Sequence, residues 1–251
     1  MKNKNMALTD IEIINKFKLK PKDRILDVGG SMKQHTDIKI DTLVDILHPS
    51  ESHMGSQKLY AKKFVRLDLN TDIFPFEDNE FDFCICTHTI EDLLYPFLAL
   101  KEMSRVAKRG YLVTPSFGND IIFSHVDITN WLTGIRRVPG ISHHKWLFYQ
   151  KQEIVQIIPK NYPLLYSSEF QYSNWIGEEE FEYYWEKEIK WNEINDLDFR
   201  IIITKYRDFV KRNKSKLKRT GPVAVYLDNP YFYLKEIAKF FLKKGYGFTN
   251  K

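Results

Sequence analysis

The sequence of 251 residues predicts an α/β fold with a mostly parallel sheet, and three observations support that prediction. Short apolar runs, as expected of strands buried on both faces, recur within residues 1–116. Acidic residues close several of these runs. Between the last two runs, apolar residues recur at helical spacing, as in an amphipathic crossover helix. Parallel strands need such crossovers, so the pattern predicts a βα alternation.

The first two predicted strands carry a glycine pair and two acids. One apolar run leads into Asp27 and then Gly29-Gly30, and the next run ends at Val44 and is followed by Asp45. In parallel sheets a glycine turn after one strand and a carboxylate after the next form a nucleotide site. Glycine allows close approach of a ligand to the backbone because it has no Cβ.

The connection between these two strands is short. Eleven residues, Ser31–Asp41, separate the glycines from the second strand. A complete crossover helix with its loops needs a dozen or more. The first helix is therefore predicted to be truncated or replaced by a loop.

Three further strands and one helix complete the predicted sheet. The strands are expected at Phe64–Asp68, Phe81–Cys86 and Gly110–Thr114, with a helix over Ile90–Lys108. Both cysteines, Cys84 and Cys86, fall on the fourth strand, and neighbours on one strand seldom form a disulfide. Reduced core cysteines and the absence of an apolar leader indicate a cytoplasmic protein.

The pattern changes at about Ser116, so residues 1–116 are predicted to form the core and residues 117–251 a C-terminal α+β region that shapes the substrate site. Trp146–Ile158 is predicted to form two β runs around a turn at Lys151-Gln152, with a helix over residues 151–158 as the alternative. A terminal helix is expected over Asp228–Lys244. No apolar run reaches the length of a membrane span.

The charge of the chain indicates its binding partners only weakly. The net charge is +5, and the basic residues are concentrated in Lys205–Arg219. A solvated helix face is the ordinary interpretation of such a run, and a polyanion site is the alternative. The acidic and aromatic segment 178–191 argues against a uniformly cationic groove, so nucleic acid is disfavoured as a partner. Peripheral membrane contact through the terminal helix is expected to be weak at most, and the sequence does not predict an oligomeric state.

Three motifs in this order carry a family resemblance: ILDVGG, FPFEDNEFDFCICTHTIEDL and LKEMSRVAKRGYLVTPS. Residues 23–116 resemble class I S-adenosylmethionine-dependent methyltransferases, and in particular the small-molecule, methyltransferase type 11-like branch. The resemblance implies a Rossmann-like, doubly wound sheet, an enzyme, and S-adenosyl-L-methionine as cofactor. The chain departs from the usual G-x-G-x-G loop, because only Gly29 and Gly30 remain, followed by Ser31.

The resemblance also implies the cofactor-binding residues, which are Asp27, Gly29, Gly30, Asp45, Asp68, Leu69 and Thr87. Asp27 and Thr87 would lie near the methionine end. Asp45 would accept the ribose hydroxyls, and Asp68 with the Leu69 amide would bind the adenine. Each acid has an ordinary alternative: a turn cap for Asp27, a solvated strand-end acid for Asp45, and a cap of the following Asn70-Thr71 turn for Asp68.

Three histidines, His88, His143 and His144, are the predicted catalytic residues. His143 and His144 follow Pro139-Gly140, in a loop after the predicted core, where substrate-binding segments are common. A histidine suits the general base that a hydroxyl acceptor needs. The alternative is a structural ring beside Trp146. A metal site that combines these histidines or His125 with Glu91 or Asp127 lacks tight spacing, so no metal is predicted.

The predicted function is methyl transfer from S-adenosyl-L-methionine to a small molecule. The favoured acceptor is a hydroxyl on a sugar or nucleotide-activated metabolite, such as a cell-surface polysaccharide precursor. Two alternatives stay open. One is an RNA or protein methyltransferase that uses residues 205–219, and the other is a non-catalytic fold that binds the cofactor.

Overall fold

A computed structural model describes residues 8–52, 56–123, 139–167, 169–194 and 198–219. The chain forms two compact units, each built from separated segments. The first unit comprises residues 1–117, 143–160 and 178–202, and the second comprises residues 118–142, 161–177 and 203–251. The division into functional regions at about Ser116 stays a prediction.

The first unit contains a six-stranded sheet of order β3-β2-β1-β4-β5-β9. Its strands are β1 (Ile25–Val28), β2 (Thr42–Asp45), β3 (Lys63–Arg66), β4 (Phe83–Thr87), β5 (Arg109–Pro115) and β9 (Glu180–Glu186). The first five strands are parallel, and β9 pairs antiparallel with β5. The order 3-2-1-4-5 reverses direction between β1 and β4, which is the switch point of a doubly wound sheet. The predicted α/β, mostly parallel fold is confirmed.

The two faces of this sheet are covered by different elements. One face packs against α2 (Pro96–Val106) and a small sheet of order β10-β7-β6. The strands of that small sheet are β6 (Trp146–Lys151), β7 (Ile154–Pro159) and β10 (Trp191–Glu193). The other face packs against α1 (Asp10–Phe17). Cys84 and Cys86 are free and fully buried on the face towards α2, as predicted.

The helix predicted over Ile90–Lys108 begins later than expected, and this prediction of its start was wrong. α2 starts at Pro96, whose fixed φ suits the first helical turn. Tyr95 lies outside the helical region, with φ −132° and ψ 83°, as expected for a residue that precedes proline. Glu91 and Asp92 therefore lie in a loop after β4 and not in the first turn of a helix.

Two other sequence predictions are confirmed. Residues 29–41, all of them described, form turns without a helix between β1 and β2. β6 and β7 form an antiparallel hairpin in which Gln152 adopts φ +57°, so the helix alternative for residues 151–158 is excluded.

In the second unit, β8 (Tyr172–Trp175) pairs antiparallel with β11 (Leu217–Arg219). Among the described residues, the C-terminal region contains the helices α3 (Phe117–Asp120), α4 (Tyr162–Leu165) and α5 (Phe199–Arg212). α5 buries Tyr206 and Phe209 and exposes the basic residues Arg207, Lys211 and Arg212. The helix predicted over Asp228–Lys244 lies outside the described residues. Every helix among the described residues is too short or too polar to cross a bilayer.

Candidate active site

Two loops meet where β1 and β4 end. The loop after β1 begins with Gly29, and the loop after β4 begins with His88. The Thr89 hydroxyl lies 3.4 Å from the Gly29 carbonyl oxygen, so the two loops pack against each other. In doubly wound sheets, ligands bind outside the carboxyl ends of the strands at this switch point. The candidate site is therefore built from residues of both loops.

Both glycines are required by contacts inside the protein. Gly29 adopts φ +78°, and a Cβ there would lie 2.2 Å from Thr89 Cγ2. A Cβ on Gly30 would lie 2.1 Å from Asp27 Oδ2. The side chains of Thr89 and Asp27 fill the space that a larger residue would need. A substitution at either glycine would thus disturb the loop itself, with or without a ligand.

The loop that replaces the first crossover helix holds a buried charge cluster. Asp27 is 1% exposed, and burial raises the pKa of its carboxyl group to about 6. His35 Nδ1 lies 2.6 Å from Asp10 Oδ1. Burial alone would lower the pKa of His35, but the Asp10 hydrogen bond and the charge of Asp27 outweigh burial and raise it. When His35 is protonated, its charge partly compensates the carboxylate charge of Asp27.

Three buried polar atoms in this region have no hydrogen-bond partner among the described residues, namely Asp27 Oδ1, Ser31 Oγ and His35 Nε2. Buried polar atoms in proteins are usually satisfied by protein, water or ligand. The glycine loop thus has hydrogen-bonding capacity that its own protein contacts do not use.

Asp45 lies beside this loop. Its Oδ2 accepts a hydrogen bond from the Ser31 amide at 3.0 Å, and its Oδ1 accepts a longer one, 3.4 Å, from the Leu47 amide. The carboxylate has further lone pairs that could accept hydrogen bonds from hydroxyl groups. The structure therefore brings Asp27, the glycines and Asp45 together, as the sequence predicted for a nucleotide site.

Contacts within the protein give Asp68 and Leu69 each a structural role. Asp68 Oδ1 accepts hydrogen bonds from the Asn70 amide and side chain, both at 2.9 Å, which is the turn cap considered as the alternative. Leu69 is 4% exposed and belongs to the hydrophobic core. Asn70 Oδ1 in turn accepts from the Leu94 amide at 2.7 Å. This turn therefore supports the loop after β4, and the adenine role of Asp68 and Leu69 stays a prediction.

His88 follows Thr87, the half-buried last residue of β4, and lies between two carboxylates. Its Nε2 is 3.3 Å from Glu180 Oε2, and its Nδ1 is 3.5 Å from Glu91 Oε1. Glu180 and then Glu91 raise the pKa of His88 to about 9, despite the opposing effect of burial. His88 is therefore cationic at neutral pH, which suits a group that stabilises negative charge better than it suits a base.

His143 and His144 lie on either side of one carboxylate. The Nε2 of His143 is 3.7 Å from Asp92 Oδ2, and the Nε2 of His144 is 3.9 Å from Asp92 Oδ1. The two rings meet edge to face, with centroids 5.0 Å apart. The His143 side chain is 64% exposed and that of His144 is 4% exposed. Of the two, His143 is therefore the ring that a substrate can reach.

Backbone contacts hold the histidine segment against the loop after β4. The Lys145 amide donates to the Glu91 carbonyl oxygen at 2.7 Å, and the Lys145 ammonium donates to the Asp92 carbonyl oxygen at 3.0 Å. Trp146 Nε1 donates to the Leu93 carbonyl oxygen at 2.9 Å. Of the predicted catalytic histidines, His88 thus belongs to the loop of residues 88–93, and His143 and His144 lie against that loop.

Several residues of the site were not predicted from sequence, namely Ser31, His35, Thr89, Asp92 and Glu180. A helix that began at Ile90 would place Asp92 in its first turn, where an acid complements the helix dipole. Pro96 is the sequence signal that the helix starts later. Glu180 reaches the site because β9 pairs with β5 from far along the chain. No local pattern could have indicated that placement.

The chain is similar to known methyltransferases over part of its length. Residues 38–114 match the family model described as a methyltransferase domain, Methyltransf_11. No curated protein matches the chain. Among solved structures, an S-adenosylmethionine-dependent methyltransferase from Methanosarcina mazei is 25% identical, with a TM-score of 0.34. One from Aquifex aeolicus is 18% identical, with a TM-score of 0.32.

The solved structures are matched only in part. The match covers 44% of this chain and 59% of the Methanosarcina mazei protein, and 43% and 64% respectively for the Aquifex aeolicus protein. The family model begins after the glycine loop, so the loop lies outside the matched residues. The family match over residues 38–114 and the 3-2-1-4-5 strand order support a methyltransferase domain of class I type with S-adenosyl-L-methionine as its cofactor.

Proposed function

We propose that this protein transfers a methyl group from S-adenosyl-L-methionine to a hydroxyl group of a small molecule. The observation that carries the proposal is the meeting of two loops at the β1–β4 switch point. The first loop, with Asp27 at the end of β1, offers a buried carboxylate and unused polar atoms. The second loop, with the segment packed against it, offers histidines paired with carboxylates. The first suits a cationic nucleoside ligand, and the second suits the removal of a proton from an acceptor.

The cofactor side of the proposal rests on Asp27 and Asp45. S-adenosyl-L-methionine carries positive charge on its sulfonium and amino groups, so the ionised Asp27 carboxylate would favour its binding near the glycine loop. Asp27 Oδ1 and Ser31 Oγ could bind the methionine end, directly or through water. Asp45 would accept hydrogen bonds from the ribose hydroxyls, and Thr87 would lie near the methionine end.

The chemistry requires a nucleophile held in line with the methyl group. The acceptor oxygen forms a bond to the methyl carbon while the carbon–sulfur bond breaks, and the electron pair stays on sulfur as S-adenosylhomocysteine. The hydroxyl proton must leave the acceptor. Correct placement of the two reactants accounts for a large part of the rate, because the sulfonium is already electrophilic.

His143 is the proposed base. Of its two ring nitrogens, Nε2 lies nearer Asp92, which favours a proton on Nε2. Nδ1 is then left to accept the proton of the acceptor hydroxyl. After transfer, Asp92 would stabilise the imidazolium. His144, which is nearly buried, would position Asp92 and His143, and the cationic His88 would stabilise charge that develops on the acceptor.

The acceptor class follows from chemistry and not from a known ligand. A sugar hydroxyl has a high pKa, so its methylation gains from a base and an adjacent positive charge. We therefore propose sugars and nucleotide-activated sugars as the first acceptors to test, including precursors of cell-surface polysaccharides.

Two measurements test the proposal. Calorimetry with S-adenosylhomocysteine should show one saturable site per chain, and mass spectrometry should detect a gain of one methyl group in an acceptor panel. Folded protein that fails to bind at millimolar ligand would contradict the cofactor assignment. Binding without turnover on any hydroxyl acceptor, together with turnover on RNA, protein or an amine, would contradict the acceptor class alone.

A further inference from the structure

We propose that Asp92, His143 and His144 form a binding site for a divalent transition-metal ion, with Zn²⁺ as the ion that suits it best. One ligand atom from each of the three side chains lies within 4.8 Å of the others. Two imidazole nitrogens and one carboxylate oxygen form a common three-residue zinc set. The proposal concerns binding and does not depend on methyl transfer.

The distances are close to those of a metal-bound arrangement. The two histidine Nε2 atoms are 3.7 and 3.9 Å from the oxygens of Asp92. Zinc with bonds of about 2.0–2.2 Å in a tetrahedron separates its ligand atoms by roughly 3.3–3.6 Å. Each ring lies nearest a different oxygen of Asp92, and the three ligand atoms lie within 4.8 Å of one another. Side-chain movements on the order of 1 Å would therefore bring all three to one ion.

The surrounding contacts hold the three ligands in place. The Lys145 amide and ammonium bind the carbonyl oxygens of Glu91 and Asp92, which fixes the histidine segment beside Asp92. His144 is nearly buried, so its ring has little freedom, and Asp92 Oδ1 accepts no hydrogen bond from the described residues. A site held by its supporting contacts loses less entropy when an ion binds.

The donor types determine which ions fit. Imidazole nitrogen is a ligand for zinc, copper, nickel and iron, whereas magnesium and calcium prefer oxygen. His143 is largely exposed, so an ion has access from solvent and a fourth position remains for water or another molecule. This arrangement is typical of open zinc sites with three protein ligands.

Metal binding would change the role of His143. An ion on Nε2 places the ring hydrogen on Nδ1, so the ring can no longer accept a proton. If a hydroxyl occupied the fourth position, the ion would lower its pKa, and the proton would pass to solvent. The same three residues thus offer two routes for proton removal, and a metal titration separates them.

The test is a Zn²⁺ titration of tag-free, chelator-treated protein by calorimetry, without S-adenosylmethionine. The wild type should bind one ion per chain at micromolar zinc. His143→Gln and Asp92→Asn should each lower the affinity at least about 100-fold, since even outer-shell changes cost 10- to 100-fold. His48→Gln, which changes a histidine that caps another turn, should leave the affinity unchanged.

Co²⁺ provides a second readout. The proposal expects intense visible bands of a four-coordinate ion with nitrogen and oxygen ligands, lost in His143→Gln. Because His143 is exposed, that variant should fold even if His144→Gln does not. A thiolate charge-transfer band would place the ion on cysteine and overturn the proposal. So would equal affinities in wild type, His143→Gln and Asp92→Asn, or no saturable binding by the folded wild type.

Discussion

The carboxylate of Asp27 lies directly beneath Gly30, since a Cβ on that glycine would be 2.1 Å from Asp27 Oδ2. This contact joins the buried acid of β1 to the loop that replaces the first crossover helix. The loop can hold its conformation only while residue 30 has no side chain. The acid and the glycine are therefore expected to be coupled energetically.

A double-mutant cycle measures this coupling. Gly30→Ala should destabilise the fold by roughly 1–3 kcal/mol, in the range of overpacking substitutions. In an Asp27→Ala background the same change should cost clearly less, because the clashing carboxylate is absent. Chemical unfolding of the four proteins gives the coupling energy. Equal costs of Gly30→Ala in both backgrounds would contradict the contact.

The charge of Asp27 should make stability depend on pH. Its pKa is raised from 3.8 to about 6 in the fold, so the folded state retains a proton that the unfolded state has lost. The contribution of Asp27 to the free energy of unfolding is thus most favourable below pH 4. It falls by about 3 kcal/mol in total as pH rises to about 6. Asp27→Asn should remove this decrease and be the more stable protein at pH 8. Parallel pH profiles of urea unfolding for wild type and variant would contradict the assignment.

Cofactor affinity should show the opposite dependence on pH. If the ionised Asp27 attracts the cationic cofactor, protonation below about pH 6 should weaken binding, approaching tenfold per pH unit. Calorimetry with S-adenosyl-L-methionine between pH 5 and 8, together with Asp27→Asn as the pH-insensitive control, measures this. An affinity that stays constant in the wild type would separate Asp27 from the cofactor.

The sequence predicted the sheet more completely than the site. The apolar runs and their terminal acids were sufficient for β1 to β5. Burial on both faces leaves a clear local signal in these strands, apart from the half-exposed edge strand β3. The proximity of Asp27, Gly30 and Asp45 followed from that topology. Glu180 did not, because its position depends on the pairing of β9 with β5. Likewise, the meeting of Asp92 with His143 depends on hydrogen bonds that the Lys145 amide and ammonium donate to the carbonyl oxygens of Glu91 and Asp92, and residue spacing gives no sign of them.

The basic segment provides a test between acceptor classes. Arg207 already pairs with Glu169 through two short contacts, 2.6 and 2.8 Å, so part of this segment is neutralised within the protein. Neutralising the exposed Lys211, Arg212 and Lys214 together should leave turnover on a small acceptor nearly unchanged. With an RNA acceptor, affinity should instead fall steeply with salt in the wild type and less steeply in the variant. Activity on a small acceptor that drops strongly in the variant, without loss of folding, would contradict the solvated-face interpretation.

Substitutions of the exposed His143 and of the buried His144 should have different effects on turnover and stability. His143→Ala removes the proposed base and should lower turnover by about 100- to 10,000-fold with little change in cofactor affinity. His144→Ala opens a cavity beside Asp92, so it should reduce thermal stability as well as turnover. Both variants are measured for turnover, cofactor affinity and melting temperature, with and without a chelator. If a chelator leaves wild-type turnover unchanged and His143→Ala abolishes turnover, the result supports His143 as the general base. Full activity in His143→Ala, His144→Ala and the double variant would remove both histidines from the mechanism.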